Sequence, residues 1–169
     1  MRRLVLSFFG AGYLRPAPGT WGSLAALPAA WAIHTVAGPI ALIVGAALLY
    51  VVGVWLTAQE TASGDDHDPS WIVIDEVVGQ WIALLPVSLG AYSAGVEMHR
   101  LWPGFVVAFV FFRLFDVWKP WLVGQADRRG DATGVMLDDV WAGLFAAIVV
   151  VLSAALAHAG FIAGVANQP

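Results

Sequence analysis

IVIDEVVGQWIALLPVSL, residues 72 to 89, is the stretch from which the rest of the chain is read. It is predominantly apolar and lacks the alternation of a membrane strand, so it predicts a helix close to the ~20 residues that cross a bilayer. A carboxylate carried to depth in a bilayer costs at least ~2.5 kcal/mol and persists where it faces a protein-lined cavity, a cation or a basic partner. Asp75 and Glu76 at the start of this segment therefore predict a polar site at the lip of a membrane helix.

Four further apolar segments lie outward from it, at residues 21–37, 39–57, 101–118 and 138–161. The first two predict a hairpin turning at Gly38 and Pro39, or a re-entrant pair. The expected fold is all-α, a small polytopic bundle of about four to five membrane-embedded helices forming a single domain over residues 1–169. Composition agrees: 60% of residues are apolar and 12% charged, against ~25% charged in soluble domains, and the mean hydropathy is +0.78. A net charge of −4 without a basic stripe argues against nucleic acid as a partner. The absence of cysteine excludes thiolate metal sites and cysteine nucleophiles. Arg2 and Arg3 precede an apolar run too short for a secretory signal core, so the N-terminus is expected to be uncleaved and cytoplasmic.

Parity turns these segments into a topology. With Met1 inside and five crossings, Arg2, Arg3, Arg15, Lys119, Arg128 and Arg129 fall on the cytoplasmic side and Arg100 alone outside, as the positive-inside rule requires. Asp75, Glu76, Asp116, Asp138 and Asp139 then share the cytoplasmic lip. Asp75-Glu76 and Asp138-Asp139 are each expected at a helix start, followed one turn later by Gly79 and Gly143, small enough for close helix approach. Converging carboxylates repel unless a cation neutralises them, and all-oxygen ligation suits Mg²⁺ or Mn²⁺, which can also orient a phosphate. The competing reading is that the acids are caps or first-turn residues complementing the helix dipole.

Arg113, Asp116 and Lys119 recur at a spacing of three, along one side of a helix. They read either as a self-satisfied pair with a snorkelling lysine or as phosphate ligands beside a metal. Gly19, Thr20, Gly22 and Ser23 offer backbone N–H groups and hydroxyls to an anion, or form a turn followed by a cap. His67 and Asp68 sit in an acidic loop. His34, His99 and His158 are isolated and expected at interfaces.

These motifs resemble the phosphatidylglycerophosphatase A family: APGTWGSLAALP at 17–28, HDPSWIVIDEVVGQWIALLPV at 67–87, FRLFDVWKPW at 112–121, then Asp127-Arg128 and GVMLDDVWAG at 134–143, in order over most of the chain. Leu122 after Trp121, and Asp131-Ala132-Thr133 before Gly134, depart from the family pattern. The resemblance implies a Mg²⁺-dependent lipid phosphatase of the bacterial inner membrane, with its active site facing the cytoplasm. It would hydrolyse phosphatidylglycerophosphate to phosphatidylglycerol and inorganic phosphate. The resemblance maps catalytic and metal roles onto Asp75, Glu76, Asp116, Asp138 and Asp139. Phosphate-binding roles fall on Arg113, Lys119, Arg128, Gly19, Thr20, Gly22 and Ser23. Either water or an aspartate, Asp116 or Asp138, would be the nucleophile. The alternatives are an ion or metal transporter, since intramembrane acids also mark ion paths, and a phosphatase acting on another lipid phosphate.

Overall fold

The structure, a computed structural model, describes residues 1–62 and 69–166, with side chains through residue 160. His67 and Asp68 lie outside the described residues. Helices α1 (Arg2–Leu6), α2 (Pro18–Thr61), α3 (Ile74–Ala94), α4 (Trp102–Trp118), α5 (Leu122–Asp127) and α6 (Ala132–Ala166) make up most of the described chain, with no strand among the described residues. Four of them, α2, α3, α4 with the short turn before it, and α6, are long and apolar enough to cross a membrane.

The long α2 is two helices. Gly38 has φ 76° and ψ −174°, outside the helical region, and Pro39 follows it. Proline disfavours helical geometry at the preceding residue, and glycine accepts the positive φ without a Cβ clash. The neighbours of each half show that the chain reverses there. In the first half, a Cβ on Gly22 would lie 2.7 Å from that of Val73. Further along, the Ala26 carbonyl accepts the Trp81 indole N–H at 3.0 Å, and His34 Nδ1 lies 2.7 Å from Ser88 Oγ. The second half runs back along α3, with Gly45 against the Trp81 ring and Gly53 against Ile74. The sequence expectation of a hairpin at Gly38 is met, and each half rises ~30 Å or more.

Helix α3 is the hub. Val77, Val78, Gly79, Gln80, Trp81, Ala83, Leu84 and Val87 are all buried. Its tightest seam is with α6: a Cβ on Gly143 would come within 3.1 Å of the Gly79 Cα, and one on Gly79 would lie 2.5 Å from Phe112 Cε2 and 2.6 Å from the Asp139 carbonyl oxygen. No larger residue fits either position without moving backbone.

One expected boundary is wrong. Helix α6 begins at Ala132, so Asp138 and Asp139 lie two turns inside it and are not capping residues. Asp131 does the capping, its Oδ1 accepting the Gly134 N–H at 2.7 Å. The apolar run marks where hydrocarbon begins, whereas the helix starts in the polar residues before it.

A second apolar cluster, Leu6, Leu56, Ile72, Ile74, Val78 and Met136, ties α1 to the site end of the bundle. Arg2 and Arg3 both pair with Glu60, at 2.6 and 2.7 Å, and Arg3 lies over the Trp71 ring. That end gathers the starts of α2, α3 and α6 with the ends of α2 and α4; the Gly38 turn and residues 95–101 form the other. Exposed Leu48, Val51, Trp55, Ile148 and Leu152 clothe the sides, as a bilayer-facing surface requires.

Topology reporters inserted after Gly38 and Gly95 are expected on one side of the membrane and one after Gly130 on the other; a reporter after Gly38 that matches Gly130 would contradict the hairpin. Gly79→Val should destabilise the detergent-solubilised protein by ~1–3 kcal/mol through overpacking at the α3–α6 seam, read as a lower thermal midpoint.

Candidate active site

The Gly79–Gly143 contact brings together the two acidic pairs, each lying three to five residues before its glycine. Asp75 and Glu76 occupy the first turn of α3, and Asp138 and Asp139 face them from α6. Asp116 arrives from the last turn of α4, whose position is set by Phe112 packed on Gly79. All five carboxylates line one cavity of about 340 Å³ at the bundle end, together with Arg113, Lys119, Ser70 and Gly19. Asp75, Asp138 and Asp139 are buried, Asp139 with only 2% of its surface exposed.

Two basic side chains cross this acidic wall. Arg113 Nη1 lies 2.5 Å from Asp116 Oδ2 and 3.8 Å from Glu76 Oε1. Lys119 Nζ donates to Asp138 Oδ2 at 2.9 Å and also to Asp127. Burial alone would lower the Lys119 pKa, but the hydrogen bonds and charges of Asp127 and Asp138 outweigh it and hold the ammonium above its ordinary value. Lys119 stays charged at neutral pH.

Lys119 is not on the helix face that its spacing suggests. It is the C-cap of α4 with φ 51°, and Trp121, beyond Pro120, has φ 47°. Left-handed backbone costs ~1–2 kcal/mol per non-glycine residue. This reversal turns Lys119 back over the cavity, away from the snorkelling position at the interface. Gly124 makes room for it: a Cβ there would lie 2.6 Å from the Lys119 carbonyl oxygen.

The glycine-rich element enters differently from the expectation. Helix α2 starts at Pro18, so Thr20 and Ser23 stand inside the helix and neither caps it. Ser23 is buried and donates to the Gly19 carbonyl at 2.8 Å, and Gly22 is packed on Val73. Of the four, only Gly19 lines the cavity, where a side chain would overlap Glu76 and approach Arg113 Nη1 to 3.0 Å. Arg128 is exposed at the end of α5 and is not brought to the cavity. The residue from that segment that reaches the site is its neighbour Asp127, through Lys119. Asp127 and Ser70 went unrecognised because neither lies in an apolar run; the only signal for Asp127 was its place in the Asp-Arg step of the family motif.

The donor set fits a hard divalent cation. One oxygen from each of Asp75, Glu76 and Asp139 lies within 4.8 Å of the others, and the same holds for Asp116, Asp138 and Asp139. Ligand oxygens across a Mg²⁺ ion stand about 4.2 Å apart. Glu76 Oε2 and Asp139 Oδ1 are buried without a hydrogen-bond partner among the described residues. Buried carboxylate oxygens with no donor are costly, and a cation relieves that cost.

Fold and site together define a polytopic helical membrane protein with an oxygen-lined, cation-bracketed cavity at one end of its bundle. The chain belongs to the phosphatidylglycerophosphatase A family, whose sequence profile matches residues 4–154. It is similar to the phosphatidylglycerophosphatase A of Haemophilus influenzae, 36% identical over 143 residues that cover 84% of this chain and 82% of that protein. It is also 36% identical to the Escherichia coli protein of the same name, over 82% of this chain and 75% of the relative. A Bacteroides thetaiotaomicron protein provisionally named a phosphatidylinositol-3-phosphatase is 34% identical over 89% and 91%. No solved structure matches the chain.

Removing Lys119 takes from Asp138 its basic partner among the described residues and leaves it the Asp139 backbone N–H. Lys119→Gln is expected to lower stability by ~1–3 kcal/mol in detergent, and Asp138→Asn added to it should recover part of the loss. Strictly additive effects in thermal unfolding would show that the pair is not coupled.

Proposed function

We propose that this chain hydrolyses the terminal phosphomonoester of phosphatidylglycerophosphate, releasing inorganic phosphate and leaving phosphatidylglycerol, as a Mg²⁺-dependent step of phospholipid synthesis. The observation that carries the proposal is that five carboxylates, Arg113 and Lys119 converge in one cavity at the bundle end, in a chain of this family. An end of a membrane-spanning bundle is where a lipid headgroup can reach. The acids gather at one lip instead of along a transmembrane path, which favours a headgroup enzyme over a transporter.

Each side chain has a task set by its surroundings. Arg113 can present its fork, and Lys119 its point charge, to phosphate oxygens, exchanging their present carboxylate partners for the substrate. Glu76, Asp75, Asp139, Asp116 and Asp138 are the candidate ligands of Mg²⁺, which when bound supplies charge neutralisation and polarisation of the phosphate. A carboxylate freed from its basic partner, Asp138 or Asp116, can take a proton from an attacking water or attack phosphorus itself. In either case the P–O bond to the glycerol breaks and the leaving oxygen takes up a proton; where the aspartate attacks, water then cleaves the aspartyl phosphate, releasing inorganic phosphate and the free carboxylate. Gly19 keeps the entrance clear, because a methyl there would displace Glu76.

The lip of the bundle also carries Arg2, Arg3, Arg15, Arg128 and Arg129, while Arg100 stands at the other end. This asymmetry supports a cytoplasmic site in a bacterial inner membrane.

The test is phosphate release from phosphatidylglycerophosphate in mixed micelles by purified protein, with phosphatidylinositol 3-phosphate run alongside. Release is expected to require Mg²⁺, to stop on chelation, to return on Mg²⁺ addition, and to fall about 10²–10³-fold in Asp139→Asn. Gly19→Ala should also depress it. Folded protein that releases no phosphate with Mg²⁺ present, or that is indifferent to Asp139→Asn, would overturn the proposal. Faster release from the inositol lipid would move the substrate and keep the chemistry.

A further inference from the structure

The seams between the helices around the cavity are closed in different ways. Helices α3 and α6 meet backbone to backbone at Gly79 and Gly143, and Phe112 of α4 fills the space beside Gly79. The Phe115 ring of α4 meets Phe145 of α6 edge-on, with centroids 5.8 Å apart. Between the first turn of α2 and the last turn of α4 the filling is polar. There Gly19 has no side chain of its own, and the space beside it is taken by the ends of Glu76 and Arg113, which can move without moving a helix.

The outer face of α4 leads to this seam. Val106, Val110, Leu114 and Val117 follow one another at steps of four, four and three, so they share one face of the helix, and all four are exposed. Any apolar face on a membrane-crossing helix meets hydrocarbon; this one is set apart by where it ends. Val117 is 73% exposed and also lines the cavity. Arg113 stands four residues before Val117 on the same side of the helix, so the apolar face runs into the guanidinium that can hold a phosphate. Exposed Trp118 flanks the same lip, as aromatic side chains do where hydrocarbon meets headgroups. From Val117 to Val106 the helix rises ~16 Å. That is about half of the ~30 Å hydrocarbon core, the depth of one leaflet.

We infer that the lipid reaches the cavity sideways from the bilayer, between the first turn of α2 and the last turn of α4, with an acyl chain lying on Val106, Val110 and Val117. The inference rests on the proposed function for the identity of that lipid, a diacyl phosphomonoester. Arg113 and the apolar face together match an amphiphile whose phosphate and chain are joined within a few ångströms. Hydrocarbon gains little by leaving lipid for an apolar side chain. The face therefore acts by continuity: it keeps the chain in apolar surroundings up to the cavity mouth while the phosphate enters. Val117 is the substrate-positioning residue of this route, and a polar group there would interrupt it.

The test uses the full chain in phosphatidylcholine nanodiscs, with a phosphatidylglycerophosphate that carries a photoreactive diazirine on one acyl chain. After irradiation the label is mapped by mass spectrometry. It is expected on residues 106–118, and excess unlabelled phosphatidylglycerophosphate should remove it where excess phosphatidylcholine does not. In phosphate release from the same lipid, Val117→Gln is expected to raise KM about fivefold or more with a smaller change in kcat. Ile148→Gln, on the exposed side of α6, is expected to keep KM within about twofold of wild type. Label confined to α6 or spread evenly over the exposed helices, label that phosphatidylcholine also removes, or Val117→Gln acting no differently from Ile148→Gln would overturn the inference. If Val117→Gln does not fold, the position of the label decides. Competed label on α4 without phosphate release would sink the proposed function and leave this route standing; phosphate release with the label elsewhere would do the reverse.

Discussion

Everything at the bundle end depends on the contact between Gly79 of α3 and Gly143 of α6. Between these two residues nothing but backbone separates the helices, so residues a turn away on each come within reach of one another. Asp75 and Glu76 on one helix and Asp138 and Asp139 on the other are those residues. Phe112 fills the space that Gly79 leaves and so fixes α4, which delivers Arg113 and Asp116 to the same cavity. The packing that makes this a compact membrane bundle is thus the packing that assembles its polar centre.

Close packing of acids at the edge of a bilayer has an electrostatic cost, and the structure answers it unevenly. Arg113 and Lys119 each take one carboxylate, and the reversal of backbone around Pro120 is what brings Lys119 inward. Elsewhere in the cavity, Glu76 Oε2 and Asp139 Oδ1 are buried with no hydrogen-bond partner among the described residues. A site balanced this way offers carboxylate oxygens and basic side chains in one cavity. The same imbalance would be hard to explain in a protein whose acids served only as helix caps, and Asp138 and Asp139 do not cap anything.

Much of this was legible in the residues. The helical class, the hairpin at Gly38-Pro39, the placing of five acids at one end and the role of the two glycines follow from apolar run length, proline and glycine geometry, and parity. What was misread has local causes. The start of α6 is hidden in polar residues, so Asp138 and Asp139 looked like helix-start acids. The glycine-rich stretch at 19–23 looked like a loop because its glycines and hydroxyls are turn residues, yet Pro18 opens a helix there and the hydroxyl of Ser23 bonds back into it. Arg128 carried a motif position but no geometric information, and its side chain stays outside.

The sequence by itself determined the medium and the polarity of this protein. Hydropathy and charge act residue by residue, so they decide which segments enter a bilayer and which end collects the carboxylates. Only the tertiary structure decided which acids meet and which of them Arg113 and Lys119 engage. Those outcomes depend on distances of a few ångströms between helices far apart in the chain, and on a backbone reversal at Lys119 that no spacing rule encodes.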